Sequence, residues 1–292
     1  MIKKYLTDQT NIINIPTDYN YASLKEKRKQ IISETGIKKQ LVATSRVDDW
    51  YKINGEWYYF KQETAQRLNH LRYGYPNCFI NELLGVEISR YFNLDTVDYQ
   101  FARLASNNND RLGIISKNFM QPGIVYKTCI DYGLHSEKYF KSLTKIKKFC
   151  KTEEDYKKLL IDIKRFAIRD FFTSQTDRHS FNFQFQEQDN HTRLAPLYDY
   201  EESFPMHKPD YGYYNNAILT FDINDPKTQS IIQNDETFQE LLHQLMDIDI
   251  GSILSTVEEQ HHICIPTSEK AIYKNHSKKI KQLVKTRPLI KG

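Results

Sequence analysis

Two short stretches carry residue types and spacings that could do chemistry: Thr176–Asn182, TDRHSFN, and Leu194–Asp199, LAPLYD. Asp177 and Asn182 stand five residues apart, and a second acid, Asp199, follows a segment that reads as a hairpin. Phosphoryl transfer from ATP needs such a set. One carboxylate orients or deprotonates the attacking hydroxyl, while an amide oxygen and a second carboxylate hold Mg²⁺ against the phosphates. The neighbouring elements have to let the three groups converge. Asp155–Phe172 is helix-like and ends where the first stretch begins. Phe181–Phe185 alternates like a strand, Gln186–Arg193 reads as a polar turn, and Leu194–Leu197 reads as the returning strand. Asp177 and Asn182 then fall on a loop and Asp199 just past a strand end.

Two other readings compete for the same residues. Asp177 and Asn182 are good turn formers and could cap local backbone. A metal hydrolase built on Asp177, His179 and Asp199 would want a second His–acid pair, and the nearby candidate, His191, sits in the polar turn. The order of features upstream separates these readings. In Gln40–Lys61, Asn54-Gly55 lies between two aromatic, alternating runs, a strong hairpin signal because both turn positions need positive φ. Lys61 closes the returning strand; pointed inward it would need an anionic partner, pointed outward it would snorkel to water. Pro76–Phe92 reads as an amphipathic helix with Phe79, Leu83, Val86 and Tyr91 on one side and Glu82 at the stripe's edge, where alone it reads as solvated. Thr96–Leu104 and Leu112–Ser116 read as two more strands, and Lys117–Gly123 breaks the pattern as a hinge whose backbone would meet an adenine edge. Beyond it the chain turns mainly helical, at Ser136–Phe149, Asp155–Phe172, Phe238–Val257 and Glu269–Val284. Ser23–Glu34 is a charged helix candidate capped by Ser23. The expected class is α+β, with residues 1–118 a β-rich lobe carrying one helix and residues 119–292 a helical lobe.

At 292 residues the chain can bury a large core, and 39% hydrophobic with 27% charged residues is ordinary for a globular protein. Its 20 Tyr and 16 Phe favour folding over disorder. A net charge of +4, with no dense basic stripe, gives no sign of direct nucleic-acid binding. Cys78, Cys129, Cys150 and Cys264 are scattered without a C-x-x-C pair, which suits a reducing cytosol. The first residues, MIKKYLTDQT, lack an apolar h-region, and no window approaches a membrane span. The expectation is a cytoplasmic protein with no membrane partner, export by a route without a cleaved signal remaining open.

The segments INGEWYYFK, NELLGVEISRYF, GIISKNF, RDFFTSQTDRHSFNFQF and LAPLYDYEESF occur in an order that resembles the HipA-like serine/threonine kinases of bacteria, most closely their compact, single-chain CtkA-type members. The D-R-H-x-x-N loop is also similar to that of phosphoinositide kinases. The resemblance spans about residues 40–207 and implies a bilobal protein-kinase-like fold. It implies Asp177 as catalytic base with His179 buttressing it or touching the γ-phosphate. Asn182 and Asp199 become Mg²⁺ ligands, Lys61 the phosphate-binding lysine 21 residues before its partner Glu82, and the backbone of Ser116, Lys117, Asn118 and Phe119 the adenine seat. Arg178 is expected to be structural, packing against an acidic neighbour such as Glu201.

The sequence departs from ordinary protein kinases in three places. Ser174-Gln175-Thr176 precedes Asp177 where His-Arg would stand, and Tyr200-Glu201 follows Asp199 in place of Phe-Gly. The segment that would cover the phosphates, Ala43–Asp49 (ATSRVDD), has no glycine, leaving Thr44 and Ser45 to offer hydroxyls and amides. The resemblance implies an ATP- and Mg²⁺-dependent kinase for Ser or Thr of a protein substrate, autophosphorylating in that segment and held by an antitoxin partner. A pseudokinase that binds without turnover, and a small-molecule or lipid kinase, are the alternatives.

Overall fold

The computed structural model describes residues 2–8, 11–16, 24–35, 49–63, 77–105, 110–133, 145–175, 178, 182, 184–189, 191–206, 223, 225–287 and 289–290. Five strands form one sheet: β1 (Ile13–Ile15), β2 (Asp49–Ile53), β3 (Glu56–Gln62), β4 (Tyr99–Leu104) and β5 (Arg111–Lys117), in the order β1-β4-β5-β3-β2. The β2–β3 turn has Asn54 at φ 50 and Gly55 at φ 87, the pair of left-handed residues that the right-handed twist of a hairpin requires. Adjacent residues of a strand face opposite sides. Phe60 accordingly packs with Ile15, Ala102, Leu104 and Ile115 on one face, and Lys61 turns to the other. Strand β1, too short to leave an alternation signal in the sequence, runs parallel to β4 at the sheet edge.

Helix α1 (Leu24–Thr35) lies where its charged sequence suggested; its expected cap, Ser23, is outside the described residues. Helix α2 (Cys78–Tyr91) is capped by Asn77, whose side chain accepts from the Phe79 and Ile80 amides. Amphipathic in the sequence reading, it is buried nearly all round, Glu82 included. Its closest approach is at Gly85: a Cβ built there would lie 2.3 Å from Tyr200 Cγ, so the aromatic ring uses the space a side chain would take. In an exposed helix Gly→Ala stabilises by about 1 kcal/mol. Here we expect Gly85→Ala to destabilise by about 1–3 kcal/mol through overpacking, a reversed sign that a urea titration reads directly.

The rest is mainly helical: α3 (Glu153–Thr173), α4 (Pro226–Asn234), α5 (Glu236–Asp247), α6 (Ile250–His261) and α7 (Thr267–Thr286). Helix α2 packs on α3 and α6. The single helix expected over Phe238–Val257 is two, because Asp249 leaves helical geometry and its carboxylate accepts from Gly251 N–H at 2.9 Å, starting α6 afresh. Helix α4 had no counterpart in the sequence reading. Of the helix expected at Ser136–Phe149, residues 136–144 lie outside the described residues and residues 145–147 are helical. A second sheet, ordered β6-β7-β8, joins β6 (Val125–Thr128) to the hairpin β7 (Gln184–Gln188) and β8 (His191–Leu194). The expected hairpin exists, but its strands extend into the polar run read as turn, because Gln186, Glu187 and Gln188 pair with Arg193, Thr192 and His191.

The first residues return to the far end of the chain. Cys264 N–H donates to Tyr5 O at 2.7 Å and Thr7 N–H to His262 O at 2.9 Å, so residues 2–8 lie against the α6–α7 junction. None of the four cysteines forms a disulfide, and Cys78 and Cys129 are buried. Among the described residues no helix is long and apolar enough to cross a membrane.

Candidate active site

Lys61 on β3 and Glu82 on α2 are buried side by side, and Lys61 Nζ donates to Glu82 Oε1. The same ammonium lies 2.7 Å from Asp199 Oδ1 and 3.9 Å from Glu201 Oε2. Glu82 uses its second oxygen to accept from Tyr200 N–H at 2.8 Å, which ties α2 to the peptide just after Asp199. Asp199 itself is left-handed at φ 63; its N–H donates to the Tyr99 hydroxyl at 3.2 Å and its carbonyl accepts from Gln175 Nε2 at 2.8 Å. Three elements far apart in sequence thus meet at one ammonium.

Electrostatics follow from that count of charges. Burial alone would pull the Lys61 pKa down, but Asp199 and Glu82 outweigh it and hold the ammonium well above its ordinary value. Burial raises the Glu82 carboxyl; Lys61 pulls it back, and Asp199 and Glu201 push it up again, leaving it raised. Glu82, Asp199 and Glu201 each bring a carboxylate oxygen within 4.8 Å of the others, against one lysine. Asp199 and Glu201 keep 26% and 24% of their side-chain surface exposed, so a ligand can reach them. A carboxylate excess that is both concentrated and reachable is the donor chemistry a Mg²⁺–phosphate group fits.

Arg178 organises the loop on the other side. Its Nη1 donates to Asn182 O at 2.7 Å and to Tyr198 O at 2.8 Å, so one nitrogen holds the backbone of the expected metal ligand Asn182 and of Tyr198, the residue just before the other expected ligand, Asp199. Its acidic partner is Asp170, at 3.0 Å from Nε, and not Glu201, which faces Lys61. The sequence reading placed the charge correctly and the partner wrongly. Asp170 sits in the last turn of α3 and so stays in reach of the loop that follows. Buried Arg169 completes the stack, its guanidinium 4.1 Å from the Tyr200 ring centre. An ammonium cannot reproduce the planar fork. Arg178→Lys is therefore expected to cost about 2–4 kcal/mol in a denaturant titration, mostly from buried groups left unpaired.

Catalytic candidates Asp177 and His179 and phosphate-loop candidates Thr44 and Ser45 lie outside the described residues. The flanking Arg178 and Asn182 are described, and Asn182 is buried. At the hinge, buried Ser116 pairs with Tyr59 and Tyr99 inside the sheet. Lys117 turns its side chain to solvent, 3.3 Å from Glu56, which fits a backbone role only. Asn118 N–H is committed to Trp57 O at 2.8 Å. An adenine edge would therefore have to use other groups of this segment. Phe119 stacks on Tyr198 at 5.8 Å and meets Tyr126 edge-on at 5.6 Å, forming an aromatic bridge from hinge to acid loop. Glu201 and Gln175 escaped the sequence reading as site-shaping residues; Glu201 stands two residues past Asp199, and that spacing was the available signal.

Behind the loop, buried His276 of α7 donates from Nε2 to Phe172 O at 3.0 Å, with Ser174 Oγ at 3.3 Å. Burial lowers its pKa to about 4, and burial lowers that of His261 to about 4 as well. Both unfold to an ordinary value of about 6.5, so the unfolded chain binds more protons between those limits. Their contribution to stability is complete above about pH 6.5 and lost as pH falls toward 4. We expect the urea midpoint to drop from pH 7 to pH 5, and to drop less in His276→Gln, which keeps a donor and cannot charge.

The chain shares this architecture with solved structures. The Helicobacter pylori proinflammatory kinase CtkA matches with a TM-score of 0.57 at 14% identity over 80% of this chain and 90% of its own. A chain of the Shewanella oneidensis MR-1 toxin–antitoxin complex of HipA, HipB and operator DNA matches with a TM-score of 0.53 at 12% identity, over 94% of this chain and 74% of its own. No protein-family profile and no curated protein matches the sequence. The fold is therefore the kinase-like α+β fold of these two structures, a curled sheet followed by a helical part.

Proposed function

We propose that this protein is an ATP- and Mg²⁺-dependent kinase that phosphorylates Ser or Thr of a protein substrate. The observation that carries the reading is Lys61 held between Glu82 of α2 and Asp199 of the acid loop, the arrangement of strand lysine, helix glutamate and metal-binding aspartate that kinases use. Bound Mg-ATP supplies the phosphoryl group and the charge neutralisation its transfer requires. Lys61 binds phosphate oxygen, and Glu82 keeps the ammonium aimed and charged. Asp199 and Asn182 hold the metal. Asp177 orients the substrate hydroxyl and takes its proton, and His179 buttresses it or touches the γ-phosphate. The backbone of Ser116–Phe119 seats the base, residues 1–118 forming one lobe and residues 119–292 the other. Thr44 and Ser45, in the segment that corresponds to the phosphate-covering loop, are the candidates for autophosphorylation.

A pseudokinase is the second reading, favoured by the glycine-free segment Ala43–Asp49. Thermal stabilisation by ATP with and without Mg²⁺ separates the two. The kinase reading expects stabilisation that depends on Mg²⁺ and on Asp199; stabilisation indifferent to both would favour the pseudokinase, and none at all would defeat each. The neighbour solved with HipB suggests an antitoxin-like protein partner here too, which co-purification from the native host would test.

A further inference from the structure

Residues 199–204 are gripped from two sides by groups the proposed chemistry does not use. Asn81, fully buried on α2 beside Glu82, donates from Nδ2 to the carbonyls of Glu201 and Ser203, at 2.8 Å each. Its own Oδ1 accepts from the hydroxyl of buried Tyr273 on α7, at 3.1 Å. At the end of the segment Phe204 is left-handed at φ 59, and its N–H donates to Thr173 O at 2.7 Å. The Phe204 ring sits edge-on to Tyr273 and His276, with ring centres 5.1 and 5.2 Å away.

One turn earlier the same two helices are joined again. Asn77, the cap of α2, donates to the Tyr5 hydroxyl at 3.1 Å, and Tyr5 donates to Glu269 of α7 at 2.8 Å. Asn77 and Asn81 are four residues apart on α2, Glu269 and Tyr273 four apart on α7, so two rungs lie on facing stripes. In protein kinases, assembly of the Lys–Glu pair is controlled by where this helix sits. Here it is bolted to the last helix of the chain.

We propose that Asn81 and Tyr273 are positioning residues. Helix α7 locks α2 and the Asp199–Phe204 segment together, so the Lys61–Glu82–Asp199 geometry is built into the fold and does not wait on a swing of α2. This rests on the kinase reading for its functional meaning, and its structural content can be tested without it. Asp199, Tyr200, Ser203 and Phe204 each donate a backbone hydrogen bond that reports on the segment. The experiment is amide hydrogen exchange on the full chain for wild type, Asn81→Asp and Tyr273→Phe, followed by Mg²⁺ titration in the presence of ADP. Asn81→Asp turns a donor into an acceptor facing two carbonyls; Tyr273→Phe removes one hydroxyl and decides the matter if the first variant fails to fold.

We expect exchange at residues 199–204 to rise roughly tenfold or more while the centre of α3 keeps its rate. The Mg²⁺ concentration for half-maximal stabilisation should rise several-fold, with metal-free ADP binding unchanged. Unchanged exchange at 199–204, or a rise shared equally by α3 and α5, would overturn the proposal. A wild type that binds no Mg-ADP would sink the kinase reading, and the exchange result would still decide the positioning role.

Discussion

Asp199→Asn is expected to lower phosphoryl transfer by roughly a thousandfold or more and to leave the protein as stable as before, or more so. The two halves have separate causes. A carboxylate that holds the metal contributes several kcal/mol of charge stabilisation where phosphate charge develops, and an amide recovers little of it. Stability behaves oppositely because Asp199 shares a space of 4.8 Å with Glu82 and Glu201. Removing one of three carboxylates relieves repulsion that offsets the attraction lost between Asp199 and Lys61, and Lys61 keeps its partner Glu82. The backbone tolerates the change, since asparagine is among the residues that accept the left-handed conformation found at φ 63. A variant with a melting temperature at or above wild type and no transfer would bear this out; one that unfolds would show Asp199 to be a structural group.

Lys61→Met should combine lost transfer with a large loss of stability. Glu82 is buried, and its hydrogen bond from Tyr200 N–H does not neutralise its charge. Breaking such a pair costs about 3–5 kcal/mol. The cost has a definite pH dependence. Without Lys61 the Glu82 carboxyl, already raised by burial, rises further above its unfolded value. A raised carboxyl contributes full stability below its unfolded pKa of about 4.3 and loses it as pH climbs through the folded value. The deficit against wild type is therefore largest near neutrality and shrinks on acidification. Lys61→Met with Glu82→Gln should recover part of the loss in stability without recovering transfer, an outcome that a double-mutant cycle measures.

These two residues also show what could be read from the sequence. Asn54-Gly55 fixed the hairpin by local turn chemistry, and Lys61 at the end of an aromatic strand asked for an anion. Local patterns are legible because their causes lie within a few residues. Glu82 takes its role from the resemblance, because an amphipathic reading puts it at a stripe's edge; its buried partners are Lys61 on β3 and the Tyr200 N–H, the latter more than a hundred residues away. The partner of Arg178 was missed for a related reason, since Asp170 and Glu201 are equally plausible acids until the α3 turn is placed in space. Asn81 opens a segment that carries the resemblance but received no role there, Tyr273 lies in no motif, and their pairing is visible only in the coordinates. The break between α5 and α6 was the reverse case. Asp249 before Gly251-Ser252 was a visible cap signal, hidden by apolar periodicity running through it.

The most direct test of the account follows the γ-phosphoryl group of labelled Mg-ATP in reactions holding wild-type protein or Asp177→Asn, each alone and with a mixed Ser- and Thr-rich acceptor protein. The account predicts label on serine or threonine with wild type, on itself or on the acceptor, and none with Asp177→Asn. Wild type that binds Mg-ATP and transfers no label in either reaction, or label that is the same with Asp177→Asn, would contradict it.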